Sequence, residues 1–427
     1  MFVNPSTGRV WRLGDSYTNP VLGATLATIA RGGAEALYAD QLGERLVADL
    51  RAAGGLITMQ DLERYEVSWG RPVTARLPGT SFTLATSPPP ASGSVMLAIL
   101  GTAAQYGPAP PDLHRPAAWH RFIEACKFGF AKRTLLGDWD AEAVAGGVRE
   151  LVTNLTSEQW WAATRASISD TETHLEPEWY GAEFSAAEDG GTAHMSVLSP
   201  AGDAVSVTST VNLLYGSKFM SPSTGIILNN QMDDFSYPGI TNAFGVPPSE
   251  ANMVAAGKRP VSSMSPSIVT DGDSRVVAVV GASGGTKIIT AVAQVGTIET
   301  RVIYFQLCTV HCTVLYFVLC TVQVLYRLLY LGQDAKEAVD ARRLHHQLVP
   351  MRVQYEAGVT RRVVCSVTTS YNNGNDRWIV RGLEARGHNL TKLLSGGSVV
   401  QAIAVDRNTG EIHANADFRK QGSVDGF

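Results

Sequence analysis

Asp189-Gly190-Gly191-Thr192-Ala193-His194-Met195-Ser196-Val197 joins a glycine pair to a threonine and then to an alternating strand pattern. Glycine reaches backbone conformations closed to other residues, so the Gly191–Thr192 peptide can present its carbonyl to the Thr192 hydroxyl. Attack there forms an ester, and hydrolysis frees a new chain end at Thr192. A free α-amine has a pKa of about 8. It sits on the same residue as the hydroxyl, so one residue supplies both nucleophile and base. Taken alone, the same nonapeptide also fits an ordinary Gly-Gly turn entering a strand.

Further motifs follow in order: Thr208-Ser209-Thr210-Val211-Asn212, Tyr215-Gly216-Ser217-Lys218 and Gly225-Ile226-Ile227-Leu228-Asn229-Asn230-Gln231-Met232-Asp233-Asp234-Phe235. Pro260-Val261-Ser262-Ser263-Met264-Ser265-Pro266 and Gly281-Ala282-Ser283-Gly284-Gly285-Thr286 complete the series. Upstream stand Asn4-Pro5-Ser6-Thr7-Gly8, Ala53-Gly54-Gly55-Leu56-Ile57-Thr58 and Ala131-Lys132-Arg133-Thr134-Leu135-Leu136-Gly137-Asp138. Downstream stands Arg343-Leu344-His345-His346-Gln347-Leu348. In order and spacing these motifs resemble the gamma-glutamyltransferase family, and the resemblance spans nearly the whole chain.

The resemblance implies an autoprocessed enzyme acting on γ-glutamyl amides such as glutathione. Residues 1–191 correspond to the C-terminal part of a large subunit, and residues 192–427 to the small subunit, with cleavage between Gly191 and Thr192. The two subunits form a heterodimer from one precursor. Acceptors are an amino acid, a dipeptide or water, and no cofactor or metal is expected. It further implies an αββα sandwich, with two facing, mostly antiparallel sheets flanked by helices, and a place at the outer face of the plasma membrane or in secretion. The chain opens on Met1-Phe2-Val3-Asn4-Pro5, without the basic and apolar regions of a signal peptide. By resemblance, the family's anchor and the Arg that clamps the substrate's α-carboxylate lie upstream of this opening.

Composition agrees with a globular enzyme. The 427 residues are 45% hydrophobic and carry a net charge of −4, which argues against a nucleic-acid partner. Five cysteines, at irregular spacing, make neither a disulfide framework nor a zinc pattern. Asn154-Leu155-Thr156 and Asn389-Leu390-Thr391 are glycosylation sequons. Helical spacing of apolar residues predicts helices over 19–31, 33–53, 58–65, 94–106 and 116–136. Period-two or β-branched runs predict strands over 81–87, 193–198, 204–210, 275–280, 399–405 and 412–416. These elements give α+β; His120 reads as a core histidine.

Each site residue that the resemblance implies has a chemical reason, and its role is the one the resemblance leads one to expect. Thr192 attacks the γ-carbonyl and leaves an acyl-enzyme. Gly284 and Gly285 let backbone N–H groups approach the developing oxyanion. Asp234 is the charge partner for the substrate's α-ammonium, and Asn212 and Gln231 add neutral oxygens beside it. Many family members carry Glu where Gln231 stands. Ser262 and Ser263 offer hydroxyls to the α-carboxylate. Thr210 matches a family threonine that hydrogen-bonds the nucleophile. Taken singly, Asp233-Asp234 also reads as a solvated pair, and the serine and glycine runs as loops. An acylase sharing only the nucleophile type fits less well, because Asp234, Asn212 and the serine pair suit an amino-acid head.

The block from about 296 to 324 departs from the family. Residues 302–324 hold no Asp, Glu, Lys or Arg and repeat Cys-Thr-Val at Cys308, Cys312 and Cys320. A membrane span and a metal site from Cys308, His311 and Cys312 are both weaker readings than an extra, unselected segment. A catalytically defective homologue or isoform, lacking the clamping Arg and disrupted by this block, and acting if at all as a binding partner, is the alternative to an active enzyme.

Overall fold

The computed structural model describes residues 3–4, 6–12, 15–107, 115–182, 191–239, 248–285, 287–292, 323–330, 333–341, 343–356, 378–393, 398–406, 409–420 and 422–426. They fall into two compact units, residues 1–69 with 214–230, and residues 70–213 with 231–427.

In the first unit, strands β1 (Val3–Asn4) and β2 (Arg9–Val10) form a short antiparallel pair. Helix α1 (Pro20–Gly32) starts where the Asn19 side chain accepts the Leu22 N–H, with Pro20 in its first turn. The single helix expected over 33–53 is two, α2 (Glu35–Tyr38) and α3 (Gln41–Ala52). The break falls at Ala39 and Asp40, both with non-helical backbone, and the Asp40 side chain makes no capping hydrogen bond. Helix α4 (Met59–Glu63) carries a capping box, with Thr58 and Asp61 each satisfying the other's backbone N–H. The Asp49 carboxylate accepts the Ser221 hydroxyl, the Ser223 N–H and the Ser223 hydroxyl. The Ser221 bond is the first cause of its lowered pKa.

The second unit is built on one sheet. In chain order it contains β3 (Val73–Arg76), β4 (Thr83–Thr86), α5 (Gly93–Ala104), α6 (Pro116–Arg133), α7 (Ala145–Leu155) and α8 (Glu158–Ser167). Then come β5 (Thr192–Leu198), β6 (Ala204–Thr210), β7 (Ser267–Thr270), β8 (Val276–Ser283) and α9 (Lys287–Val292). The last elements are α10 (Gln323–Leu329), α11 (Ala335–Asp340), β9 (Leu344–His345), β10 (Val353–Tyr355), α12 (Trp378–Glu384), β11 (Leu390–Lys392), β12 (Val399–Val405) and β13 (Ile412–Ala416). Strands β13-β12-β8-β7-β4-β3 form a six-stranded, wholly antiparallel sheet.

One side of this sheet meets α5 and α9, whose buried residues join one core with those of α6 and α8. Helix α5 is buried on nearly every side, as a helix apolar all round must be. Close packing sets two of its neighbours: a Cβ on Gly101 would lie 2.2 Å from the Trp161 ring, and one on Gly129 would lie 2.5 Å from Ile99. Against the other side lies the β5–β6 hairpin, a separate two-stranded sheet. The unit is thus α+β, with two sheets facing each other and helices beyond the larger one. Strands β3 and β4 precede Thr192 while β7, β8, β12 and β13 follow it, so both sides of the 191/192 boundary share one sheet.

The hairpin is inverted in polarity. Its register pairs Thr192 with Thr210, His194 with Thr208 and Ser196 with Ser206. These polar side chains face the large sheet: the Ser206 hydroxyl donates to Val280 O, and the Ser196 hydroxyl to Gln401 O. Met195, Val197, Val205 and Val207 lie on the other face and are 40–57% exposed.

Residues 296–322 of the atypical block, and with them Cys308, His311, Cys312 and Cys320, lie outside the described residues; so does Cys365. Cys126 is a buried free thiol. Among the described residues no helix is long and apolar enough to cross a membrane. Asn154 and Asn389 are both exposed.

Candidate active site

Antiparallel register gathers the site at one edge of the large sheet. Ser267 pairs with Val280, so the residues before Ser267 run beside those after Val280. Val399 pairs with Ser283, which sets Ser398 beside Gly284. Thr86 pairs with Ser267, so the loop after β4 leaves from the same edge. The hairpin steps along β8 in the same direction. Ser206 bonds Val280, His194 covers Gly281, and Thr192 lies one pair further toward Gly284.

Thr192 is the first residue of β5 and is 3% exposed. Its Oγ1 lies 2.9 Å from Thr210 Oγ1, and Thr210 Oγ1 also accepts the Asn212 N–H at 2.9 Å. Gly191 is pinned by two backbone bonds. Its N–H donates to Asn212 O at 2.5 Å, and its carbonyl accepts the Val211 N–H at 3.1 Å. A Cβ on Gly191 would lie 2.1 Å from Leu213 O, so only glycine fits. Asn212 is buried and has φ 70°, in the left-handed region. Such backbone in a non-glycine residue is uncommon and clusters at functional sites. Gly190 lies outside the described residues.

Gln231 and Asp234 open and close one 3-10 turn. The Gln231 amide N–H donates to Asp234 Oδ2 at 2.5 Å, which turns the Gln231 carbonyl oxygen away from the carboxylate. Asn252 fixes this turn against the serine loop. Its Nδ2 donates to Asp234 O at 2.7 Å, and its Oδ1 accepts the Val261 N–H at 3.0 Å. Ser262 and Ser263 are both buried. Ser262 is tied to the loop after β4: its N–H donates to Pro90 O, and its carbonyl accepts the Ser92 hydroxyl at 2.6 Å. Gly284 has φ 127° and Gly285 φ 69°. A Cβ on Gly284 would lie 2.6 Å from Ser398 Cα. Ser398 is itself held by Arg343, which bonds its carbonyl and pairs with Asp417, both side chains buried.

Four residues that the sequence reading did not place now stand beside the site: Asn252, Arg133, Arg343 and His194. Asn252 carried no signal, because its partners lie 9 and 18 residues away in sequence. Arg133 and Arg343 stood inside quoted motifs without a role. His194 follows Thr192 by two residues. Its Nδ1 lies 2.8 Å from Thr208 Oγ1 and its Nε2 3.1 Å from Ser196 Oγ. The ring fills the space over Gly281, where a Cβ would come within 2.1 Å of it.

Burial pushes the His194 pKa down to about 4, so the folded chain keeps the ring neutral. An unfolded chain takes up that proton near pH 6.5. Stability from the neutral ring is therefore intact above about pH 6.5 and is lost as pH falls toward about 4, on the order of 3 kcal/mol in all. We expect the urea midpoint of the wild-type chain to fall over this window more than that of His194→Gln. Parallel profiles for the two proteins would refute this assignment.

One cluster among the described residues has ligand-like spacing: His120, Glu124 and His388. Its hydrogen bonds are already made internally. The His120 Nε2 faces Ser169 O at 2.7 Å and so carries hydrogen, which leaves Nδ1 to accept from His388 Nε2 at 2.7 Å. Glu124 accepts from Tyr180, Thr173 and Lys127. Burial, the first cause in each case, lowers the pKa of both histidines. The cluster ties α6 to the turn after α12 as a buried network in which both histidines are held neutral, and His120 is a core histidine.

A threonine at the head of a hairpin, stacked on an antiparallel sheet with helices behind it, is the architecture of the N-terminal-nucleophile hydrolases. A cephalosporin acylase from Bacillus halodurans has this fold with a TM-score of 0.72 at 20% identity, covering 97% of this chain and 63% of that one. Residues 1–305 and 318–427 match the gamma-glutamyltranspeptidase family, and the chain belongs to it. The unmatched residues 306–317 fall inside the atypical block. Scoloptoxin SSD14 of Scolopendra dehaani is 37% identical over all of this chain and 65% of its own length. Glutathione hydrolase 2 of Arabidopsis thaliana is 35% identical over 99% of this chain and 67% of its own length. The chain thus spans about two thirds of the length of these relatives.

Proposed function

We propose that this chain is a γ-glutamyl transferase/hydrolase, acting on glutathione and other γ-glutamyl amides after cleaving its own Gly191–Thr192 bond. The observation that carries this reading is the pairing around that bond. The Thr192 hydroxyl sits against Thr210, and the Gly191 carbonyl accepts the Val211 N–H. That donor polarises the carbonyl under attack and stabilises negative charge on its oxygen. Thr192 Oγ1 adds to the Gly191 carbonyl carbon, and the C–N bond breaks as the nitrogen takes up the hydroxyl proton. Water then hydrolyses the ester, leaving a Gly191 carboxylate and a free α-amine on Thr192.

In turnover the α-amine accepts the Thr192 hydroxyl proton while the oxygen attacks the substrate's γ-carbonyl. Gly284 and Gly285 present N–H groups to the tetrahedral oxyanion. The leaving amine departs with the proton, and water, an amino acid or a dipeptide takes the γ-glutamyl group from the ester. Asp234, with Gln231 and Asn212, receives the α-ammonium; Ser262 and Ser263 receive the α-carboxylate. The name of the Arabidopsis relative supports glutathione as substrate. After cleavage the large- and small-subunit parts stay together as a heterodimer, because β3 and β4 hydrogen-bond into the same sheet as β7, β8 and β12. Two exposed sequons are consistent with the extracellular or secreted placement that the resemblance implies.

The test is a denaturing gel of the purified chain together with p-nitroaniline release from γ-glutamyl-p-nitroanilide. Two bands with turnover support the enzyme. One uncut band with no turnover favours the defective homologue.

A further inference from the structure

Arg133 ends α6 and is 7% exposed, yet its guanidinium is aimed at the serine pair. Nη2 donates to Ser263 Oγ at 3.0 Å and Nε to Ser92 Oγ at 3.2 Å. Ser92 passes the contact on: its hydroxyl donates to the Ser262 carbonyl and its N–H to Met264 O. One cation therefore holds two loops, the one after β4 and the one before β7. The neighbouring Lys132 points the other way, toward Gly181 O.

A guanidinium only donates. The Ser263 oxygen is thus the acceptor in its bond with Arg133, and the hydroxyl hydrogen is turned elsewhere. Among the described residues that hydrogen has no acceptor. A charged donor on a hydroxyl oxygen also strengthens the hydroxyl's own donation. The arrangement is a polarised O–H backed by a buried positive charge, and that chemistry recognises an anion.

We propose that Arg133 is the positioning residue of the α-carboxylate subsite, acting through Ser263 to orient and strengthen the hydroxyl that meets the carboxylate of a γ-glutamyl substrate. The inference rests on the γ-glutamyl reading above, and the experiment separates the two. Kinetics are measured with γ-glutamyl-p-nitroanilide and with the same anilide bearing an α-carboxamide in place of the carboxylate. Arg133→Gln raises KM for the carboxylate substrate about tenfold to a hundredfold, with kcat little changed. The carboxamide substrate, already poor, is altered less than twofold. Arg133→Lys recovers part of the loss. Arg133→Gln combined with Ser263→Ala is no worse than the poorer single variant, because the two act as one unit. Equal losses on both substrates, or additive losses in the double variant, would overturn the proposal.

A binding arm works without turnover. L-Glutamate raises the melting temperature of the wild-type chain and its α-amide, isoglutamine, does not; the glutamate shift is reduced in Arg133→Lys and lost in Arg133→Gln. If glutamate shifts wild type and both variants alike, the role of Arg133 falls and the γ-glutamyl reading stands. If glutamate does not shift wild type, both fall. Should Arg133→Gln not fold, Arg133→Lys decides: an unchanged KM together with an unchanged glutamate shift rejects the proposal.

Discussion

Thr192→Ala is expected to run as one uncut band of 45.7 kDa and to release no p-nitroaniline from γ-glutamyl-p-nitroanilide. The two losses share one cause. In the proposed mechanism the hydroxyl that opens the Gly191–Thr192 bond is the one that later takes the γ-glutamyl group, and the α-amine that serves as its base exists only after the first step. Removing a nucleophile typically costs about a thousandfold or more in rate, so turnover should fall to background. Alanine leaves the strand intact: the backbone pairing of β5 with β6 survives, while the Thr192–Thr210 hydroxyl contact is lost. Circular dichroism and the melting temperature should therefore stay close to wild type. Thr192→Ser, which keeps a hydroxyl, should still yield two fragments, the second beginning at residue 192. A Thr192→Ala chain that still cleaves at this bond would sink the mechanism.

Gly284→Ala is expected to lower kcat about a hundredfold to a thousandfold, the range typical for the loss of an oxyanion donor. Two separate strains force the loop to move. Gly284 has φ 127°, where a side chain is strained whatever the space around it. The added Cβ would also lie 2.6 Å from Ser398 Cα. Ser398 has little freedom to retreat, because its carbonyl is held by Arg343 and Arg343 by the buried Asp417. The loop must therefore give way and carry the Gly284 and Gly285 N–H groups with it. KM for γ-glutamyl-p-nitroanilide should change far less than kcat, since Asp234 and the serine pair lie on other segments. A kcat within twofold of wild type would remove Gly284 and Gly285 from the oxyanion site.

The elements were legible to different degrees, for physical reasons. Period-two alternation located both hairpin strands, because side chains alternate along any strand. It did not say which face is buried. Apolar character favours Met195, Val197, Val205 and Val207 inside, yet Thr192, His194 and Ser196 face the large sheet. The facing choice depends on the surface the hairpin meets, and Gly281 leaves room there for an imidazole. The interruption at Ala39 and Asp40 was missed because apolar residues continue at helical spacing on both sides of it, while the break is made by the backbone of those two residues.

The site was legible as a set of parts. Glycine before a threonine, glycines after a strand, and Asp, Asn and Ser in ordered motifs each carry chemistry that a one-dimensional string displays. Their supports were not legible. Asn252, Arg133 and Arg343 act on partners 9 to 130 residues away, and nothing local marks an amide or a guanidinium as bound to one loop rather than another.

By itself the sequence determined the family, through the resemblance of its ordered motifs, and it supplied candidate residues to attack, to cradle an oxyanion and to read an amino-acid head, because side-chain chemistry is written in the residue type. Only the tertiary structure decided that the three loops leave the sheet from one edge, that the hairpin turns its polar face inward, and that a buried arginine stands behind Ser263. Those outcomes depend on strand register and on the volume left between packed layers, and both are properties of contacts between residues far apart in the chain.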